Sequence, residues 1–282
     1  MSAYEARVAL ITGATDGVGK ATARSLLRDG WTVVITGRSA AKCEATVREL
    51  SNSEADAKVS SLLADLSSMG EVARLATEFC ERHPRLDLLI LNANSITQTH
   101  TLTSEGFEAN LAVGDLGRAL LTWELEPALA RAPAPQVLTV VGLNLERLDF
   151  DDPSSREGFS SMRALGRWQW AMQLFAREYN RRSRAAMNTY MPGLVKTKIL
   201  ANEPQPMRLF VQIASRLMGV EVDRAGDELA EVVRALLAEP RRDAYFARTK
   251  HKGQRALDER PGDGARLVAM TEALLSSWRS PR

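Results

Sequence analysis

The sequence predicts an α/β protein built on a doubly wound parallel sheet of about seven strands, with helices on both faces. Three observations lead there. Short apolar runs alternate with longer amphipathic stretches along the 282 residues. The apolar runs are unbroken, as expected of strands buried on both faces. A glycine-rich turn, Gly13 to Gly19, joins the first run to the first amphipathic stretch. Parallel strands need crossover connections, and the fixed hand of those connections winds the sheet both ways.

Each element has its own warrant. Arg7–Thr12 (RVALIT) is short, β-branched and closed by Gly13, so it reads as a buried strand. Val18–Asp29 has helical spacing and stops at Gly30, a residue suited to the turn after a helix. Trp31–Thr36 is the second strand, Ala41–Leu50 a helix, Val59–Ala64 the third strand, Met69–Arg82 a helix and Leu86–Leu91 the fourth strand. A helix around Glu105–Glu126 ends near Pro127, which cannot continue it. Val137–Val141 is the fifth strand, Arg163–Arg182 a long helix, and Met187–Met191 a sixth strand closed by Pro192-Gly193. A short seventh strand is expected near Ala244–Ala247, between helices over Asp227–Ala238 and Gly264–Ser277. Ala201–Pro206 breaks structure before a helix starting near Met207, and reads as a segment inserted near a pocket. With no internal repeat and no Pro-, Gly- or Ser-rich linker, residues 1–282 read as one domain.

Composition removes several function classes. Hydrophobic residues make up 45% and charged residues 26%, which suits a soluble globular chain and excludes disorder over most of it. Lys+Arg total 37 and Asp+Glu 35, and a net charge of +2 gives no electrostatic case for nucleic acid or an anionic membrane. No run approaches the roughly 20 apolar residues of a membrane helix. The start, MSAYEARVALITG, lacks a signal-peptide layout, so a cytoplasmic location is expected. Cys43 and Cys80 make no disulfide framework, and with His83, His100 and His251 scattered, no metal is expected. Abundant Arg and Ala point to a GC-rich bacterial source.

The turn after the first strand reads Gly13-Ala14-Thr15-Asp16-Gly17-Val18-Gly19 and opens a helix. Its glycines let the backbone approach a pyrophosphate, and free N–H groups at the positive end of the helix hold it. The second strand ends in Thr36-Gly37-Arg38-Ser39. An acidic residue there would accept from a ribose 2′-hydroxyl; Arg38 pairs instead with a 2′-phosphate, so NADP(H) is the expected cofactor.

On these residues the chain resembles the short-chain dehydrogenase/reductase family, which has a Rossmann-type sheet, and more narrowly its retinol-dehydrogenase-like branch. Thr12-Gly13, Gly17-Val18-Gly19-Lys20 and Asp65-Leu66 match, and Leu91-Asn92-Ala93-Asn94 is similar to the family's NNAG segment. Thr103–Glu108, Phe150-Asp151-Asp152, Leu174-Phe175, Glu178 and Pro192–Thr197 match later segments. The resemblance covers essentially the whole chain. It implies that Gly13, Thr15, Asp16, Gly17, Val18, Gly19, Arg38, Ser39, Asp65, Leu66, Asn92, Ala93, Gln169, Pro192, Gly193, Val195 and Thr197 hold the cofactor.

The family's chemistry uses a Tyr, a Lys four residues later, a Ser and an Asn. Counting from Leu174-Phe175 puts Leu165 at the Tyr position and Gln169 at the Lys position. No Tyr-x-x-x-Lys occurs anywhere in the chain. Gly142 falls at the Ser position and Gly114 at the Asn position, and both glycines are expected to enlarge the pocket floor and make it less polar. Asn94 and Asn144 can make hydrogen bonds but do not titrate. Asn94, Gly142, Asn144 and Leu165 are therefore candidate substrate-pocket residues. His100 and Tyr190 are weaker candidates for a substitute proton donor, and of Trp168 and Trp170 one is expected to pack inward and the other toward the pocket or a partner subunit.

Three readings follow. The first is an enzyme on a small-molecule, specialised-metabolite substrate with non-redox chemistry: cyclisation, isomerisation or elimination. The second is an NADPH-dependent reductase of a conjugated or iminium substrate that needs no proton donor from the protein. The third is a non-catalytic NADP(H)-binding subunit or sensor. A homo-oligomer is left open.

Overall fold

The computed structural model describes residues 6–54, 56–142, 146–196 and 219–280. Its eight strands are β1 (Val8–Ile11), β2 (Thr32–Gly37), β3 (Lys58–Leu63), β4 (Leu88–Leu91), β5 (Gln136–Val140), β6 (Ala186–Met191), β7 (Tyr245–Ala247) and β8 (Lys250–His251). They form one sheet in the order β3-β2-β1-β4-β5-β6-β7-β8. The first seven run parallel, with Ala9 opposite both Val33 and Leu88. The winding reverses between β1 and β4, which opens a crevice at the carboxyl ends of the strands.

Among the described residues the strands number eight, where about seven were expected. The chain turns back after β7 through Arg248, at φ +54°, and pairs Phe246 with His251 antiparallel. Two residues are too few to carry a readable period of hydrophobicity.

The helices are α1 (Gly17–Arg28), α2 (Ala40–Ser53), α3 (Met69–Arg82), α5 (Glu126–Leu129), α6 (Ser161–Arg182), α7 (Val222–Ala238) and α8 (Asp263–Leu275). The remaining helix, α4, runs Ala109–Leu111, widens to π geometry over Ala112–Leu116 and resumes over Gly117–Glu124. Alternation along β1 explains why its apolar run is unbroken. Leu10 packs with α3, α4 and α6 on one face, and Ala9 and Ile11 pack with α1 and α7 on the other.

Two close contacts set where the helices lie. A Cβ on Gly226 would come within 2.4 Å of Ala21 Cβ, so glycine lets α7 press against α1, the helix that opens the crevice. Gly226→Val is expected to cost about 1–3 kcal/mol by overpacking, measured as a lowered Tm. On the other face the C-terminal segment straps α6. Trp170 Nε1 donates to Asp258 O at 2.9 Å, Arg177 pairs with Glu259, and Arg147 pairs with Asp263 at 2.7 Å. Neither tryptophan turns toward a partner or the pocket: Trp168 is 2% and Trp170 1% exposed. The segment Ala201–Pro206 and the helix near Met207 lie outside the described residues. Among the described residues no helix is long and apolar enough to cross a membrane.

Candidate functional site

The crevice is a groove of ≈ 1040 Å³. Thr15, Asp16, Gly17 and Val18 line one wall, at the start of α1. Gly13 (φ +64°) and Gly17 (φ +58°) occupy the left-handed region. A Cβ on Gly13 would also lie 2.8 Å from Ala93 Cα, so position 13 tolerates no side chain. Asn92 holds that turn: its Nδ2 donates to Thr12 O at 3.0 Å and Gly13 O at 3.2 Å. The result is a helix N-terminus whose first residues line the groove, with the Gly17 N–H capped by Asp16 Oδ1 at 2.8 Å, a place that favours an anion.

Gly19 does not line the groove, contrary to expectation. Its missing Cβ would sit 2.6 Å from Asn92 Nδ2 and 2.9 Å from Gly13 O. The glycine serves the packing of α1 under the turn.

At the end of β2, Arg38, Ser39 and Lys42 line the groove. Ser39 Oγ accepts from Lys42 N at 3.4 Å, which starts α2. Lys42 was not foreseen, because a lysine in a first helical turn reads as solvated; its distance of four residues from Arg38 was the available signal. Asp65 and Leu66 line the next stretch. Asp65 Oδ1 accepts from Ser67 N at 2.9 Å and Ser67 Oγ at 2.8 Å. Two buried oxygens among the lining residues, Thr36 Oγ1 and Asn94 Oδ1, have no partner within the chain. Two cations, a helix N-terminus, a glycine cradle and orphaned acceptors together suit a phosphorylated dinucleotide.

Farther along, Asn92, Ala93, Asn94, Gly142, Leu165 and Gln169 line the groove, with Pro192, Gly193, Val195 and Lys196 closing it. Thr197 and Asn144 lie outside the described residues. The only titratable side chains among the described lining residues are Asp16, Arg38, Lys42, Asp65 and Lys196. None of the five belongs to the stretch containing Leu165 and Gln169.

The two glycines expected to enlarge the floor do not. A Cβ on Gly114 would meet Trp168 Cδ2 at 2.4 Å, so the indole fills that volume. A Cβ on Gly142 would meet Gln169 Oε1 at 3.0 Å. Gly142 is held on both sides: its N–H donates to Gln169 Oε1, and its carbonyl accepts from Arg255 Nη1 at 3.1 Å. Glycine had suggested space, and neighbouring side chains have taken it.

Behind this floor lies a buried pair that the sequence did not disclose. Arg118, 2% exposed, donates to Thr139 Oγ1 (2.8 Å), Val140 O (2.9 Å) and Ala93 O (2.7 Å), and stacks 4.7 Å from the centre of the Trp168 ring. It thereby ties the ends of β4 and β5, whose next residues line the groove. Asp115, one turn earlier in the π segment, has neither carboxylate oxygen hydrogen-bonded. Burial pushes its pKa up to about 7, with Arg118 pulling the other way. Burial likewise lowers Arg118 to about 9.

Neither weak candidate for a proton donor reaches the groove. His100 Nε2 is 3.0 Å from Ser154 O, and its ring meets Phe159 edge-on at 5.6 Å. Tyr190 is buried on the α1/α7 side, donates to Ala225 O at 3.4 Å, and has its pKa raised by burial.

A doubly wound sheet with a glycine cradle and a helix N-terminus at its switch point defines the dinucleotide-binding class of α/β protein. The family model for short chain dehydrogenases matches residues 7–144. Human polyprenol dehydrogenase is 30% identical over 233 residues, covering 79% of this chain and 69% of that protein. Human retinol dehydrogenase 13 is 29% identical over 199 residues, covering 68% of this chain and 60% of that protein. The chain spans 60–63% of the length of the retinol dehydrogenases it first matches. The alcohol dehydrogenase of the archaeon Thermococcus sibiricus, solved with 5-hydroxy-NADP, superposes with a TM-score of 0.64 at 23% identity over 90% of this chain and all (100%) of that one. The chain belongs to the short-chain dehydrogenase family.

Proposed function

We propose that the protein binds NADP(H) and converts a small-molecule, specialised-metabolite substrate without the family's tyrosine–lysine proton relay, through cyclisation, isomerisation or elimination. One observation carries this reading: Leu165 and Gln169 line the groove at the positions where the family's Tyr and Lys would stand, and no Tyr, His or Cys is among the described lining residues. Reduction of a simple ketone develops an alkoxide that needs a proton, and a leucine offers none.

The roles divide along the groove. The start of α1 and Gly13 hold the pyrophosphate, Arg38 and Lys42 the 2′-phosphate, and Asp65 and Leu66 border the adenine. Asn92 and Ala93 shape the middle. Gln169, its Oε1 engaged by Gly142, directs its amide N–H groups to ribose hydroxyls. Pro192, Gly193 and Val195 border the nicotinamide. When bound, the cofactor supplies or takes up hydride; in the proposed reaction it serves as a polar wall. Asn94 orients the substrate by hydrogen bonds, a preorganisation suited to steps without net redox.

The completeness of the cofactor end favours one second reading: an NADPH-dependent reductase of a conjugated or iminium acceptor. Incubation with NADPH deuterated at C4 separates the two, since only the reductase transfers label to product. Either reading fails if the protein reduces simple ketones at an ordinary enzymic rate of about 1–10³ per second.

Arg38→Asp is expected to weaken NADPH binding by about 10–100-fold, the worth of a charged hydrogen bond, and to shift the preference toward NADH. Fluorescence titration with both cofactors measures it. Equal affinities for NADPH and NADH in the parent protein would remove Arg38 from the site.

A further inference from the structure

The two ends of α6 lead to different places. Its first half, through Gln169, lines the groove at the carboxyl ends of the strands. Its last turns run to Arg182, just before β6 begins at Ala186, and so reach the opposite edge of the sheet. There a second cavity of ≈ 410 Å³ lies among α4, α5, α6 and α8. Four carboxylates line it, those of Glu124, Glu126, Glu178 and Glu272, together with Arg182; Arg181 pairs with Glu178 and the Ser183 hydroxyl donates to Glu126. Both α4 and α6 end here, so the negative ends of two helix dipoles add to the same field.

The cavity also has an aromatic wall. Trp123 meets Phe175 edge-on at 5.3 Å, and Phe175 stacks on Tyr179 at 6.0 Å. Tyr179 is 5% exposed, and its buried hydroxyl sits beside Ser183 and the Glu126 carboxylate. The chain itself shows which group suits this surface. The Arg279 guanidinium lies 4.2 Å over the Trp123 ring and donates to Glu272 Oε1 at 3.2 Å. Ser280 fixes the same segment, its N and Oγ donating to Glu124 at 3.1 and 2.6 Å.

We propose that this cavity is a second binding site, for an organic cation such as an amine or amidine on an aromatic body, with Arg279 as resident competitor at its mouth. The carboxylates supply charge-assisted hydrogen bonds, the rings supply cation–π contact, and Tyr179 Oη supplies an acceptor. The volume falls within the range of about 300–1,000 Å³ typical of small-ligand pockets. Because groove and cavity lie at opposite edges of the sheet, this ligand binds whether or not NADP(H) is present.

The test uses benzamidine and its neutral isostere benzamide, titrated calorimetrically into the full chain with and without NADPH. Benzamidine should bind and benzamide should not. Arg279→Gln should tighten benzamidine about 10-fold by removing the competing charge-assisted contact. In that background Glu272→Gln and Glu178→Gln should each weaken it by about 10-fold or more, with the melting temperature showing that each variant folds. No binding of benzamidine to Arg279→Gln would overturn the proposal. So would equal binding of benzamide, or indifference to both glutamate substitutions.

Discussion

Leu165→Tyr, Gln169→Lys and Gly142→Ser together should raise NADPH oxidation against small ketones by about 10²–10⁴-fold over the parent, the range a positioned general acid contributes. The three changes belong together for a geometric reason. Serine at 142 would press its Cβ to 3.0 Å from Gln169 Oε1, and Gln169→Lys removes that oxygen. Gly114 is left alone, because any side chain there collides with Trp168. Stability should fall somewhat, since polar groups enter a wall now made by Leu165, which is 9% exposed. A stopped-flow trace at 340 nm, for parent and variant with one ketone, gives the ratio. A parent as fast as the variant would sink the proposed reading of the groove.

Arg118→Met should be the most destabilising single change, by about 3–5 kcal/mol, as when one partner of a buried pair is removed. It strips donors from Thr139 Oγ1, Val140 O and Ala93 O and leaves Asp115 without a counter-charge. Asp115 gives the effect a pH signature. Its folded pKa is raised from 3.8 to about 7, so the folded state holds the proton more tightly than the unfolded chain. The associated stability is fully present below about pH 4 and is lost as pH rises through about 7. Asp115→Asn should flatten that slope, and Arg118→Met should extend it to higher pH, because the pull toward the ionised form is gone. Urea unfolding at pH 5 and pH 8 decides the matter: if Asp115→Asn keeps the parent's pH dependence, the slope has another source.

The parts of this molecule that repeat along the chain were legible in its sequence. Runs such as Val8–Ile11 and Leu88–Leu91 announce strands because both faces of the sheet are covered, and Gly13 and Gly17 announce the turn because its backbone enters the left-handed region there. What depends on contacts between distant residues was not legible. Gly114 and Trp168 are 54 positions apart, and nothing near either one states that the ring covers the glycine. A glycine reads as vacant space, yet interiors are close-packed and a neighbour fills the volume. The π segment escapes for a related reason: Val113, Gly114 and Asp115 weaken Ala112–Leu116 as a helix without stating that it widens, and the burial of Asp115 appears only in the fold. Lys42 is exposed on a helix surface, and its place beside Arg38 follows from how α2 leaves β2.

The contact between Gly114 and Trp168 also constrains the order in which this protein can change. No residue larger than glycine fits at 114 while the indole lies 2.4 Å from where its Cβ would stand. Loss of the indole first leaves a cavity beneath Arg118, a step that itself costs about 3–5 kcal/mol, most of the margin a folded domain keeps in hand. A side chain at 114 can therefore be accommodated only after stabilising changes elsewhere have accumulated. The pair works as an interlock: the ring bars a side chain at the glycine, and removing the ring is itself costly.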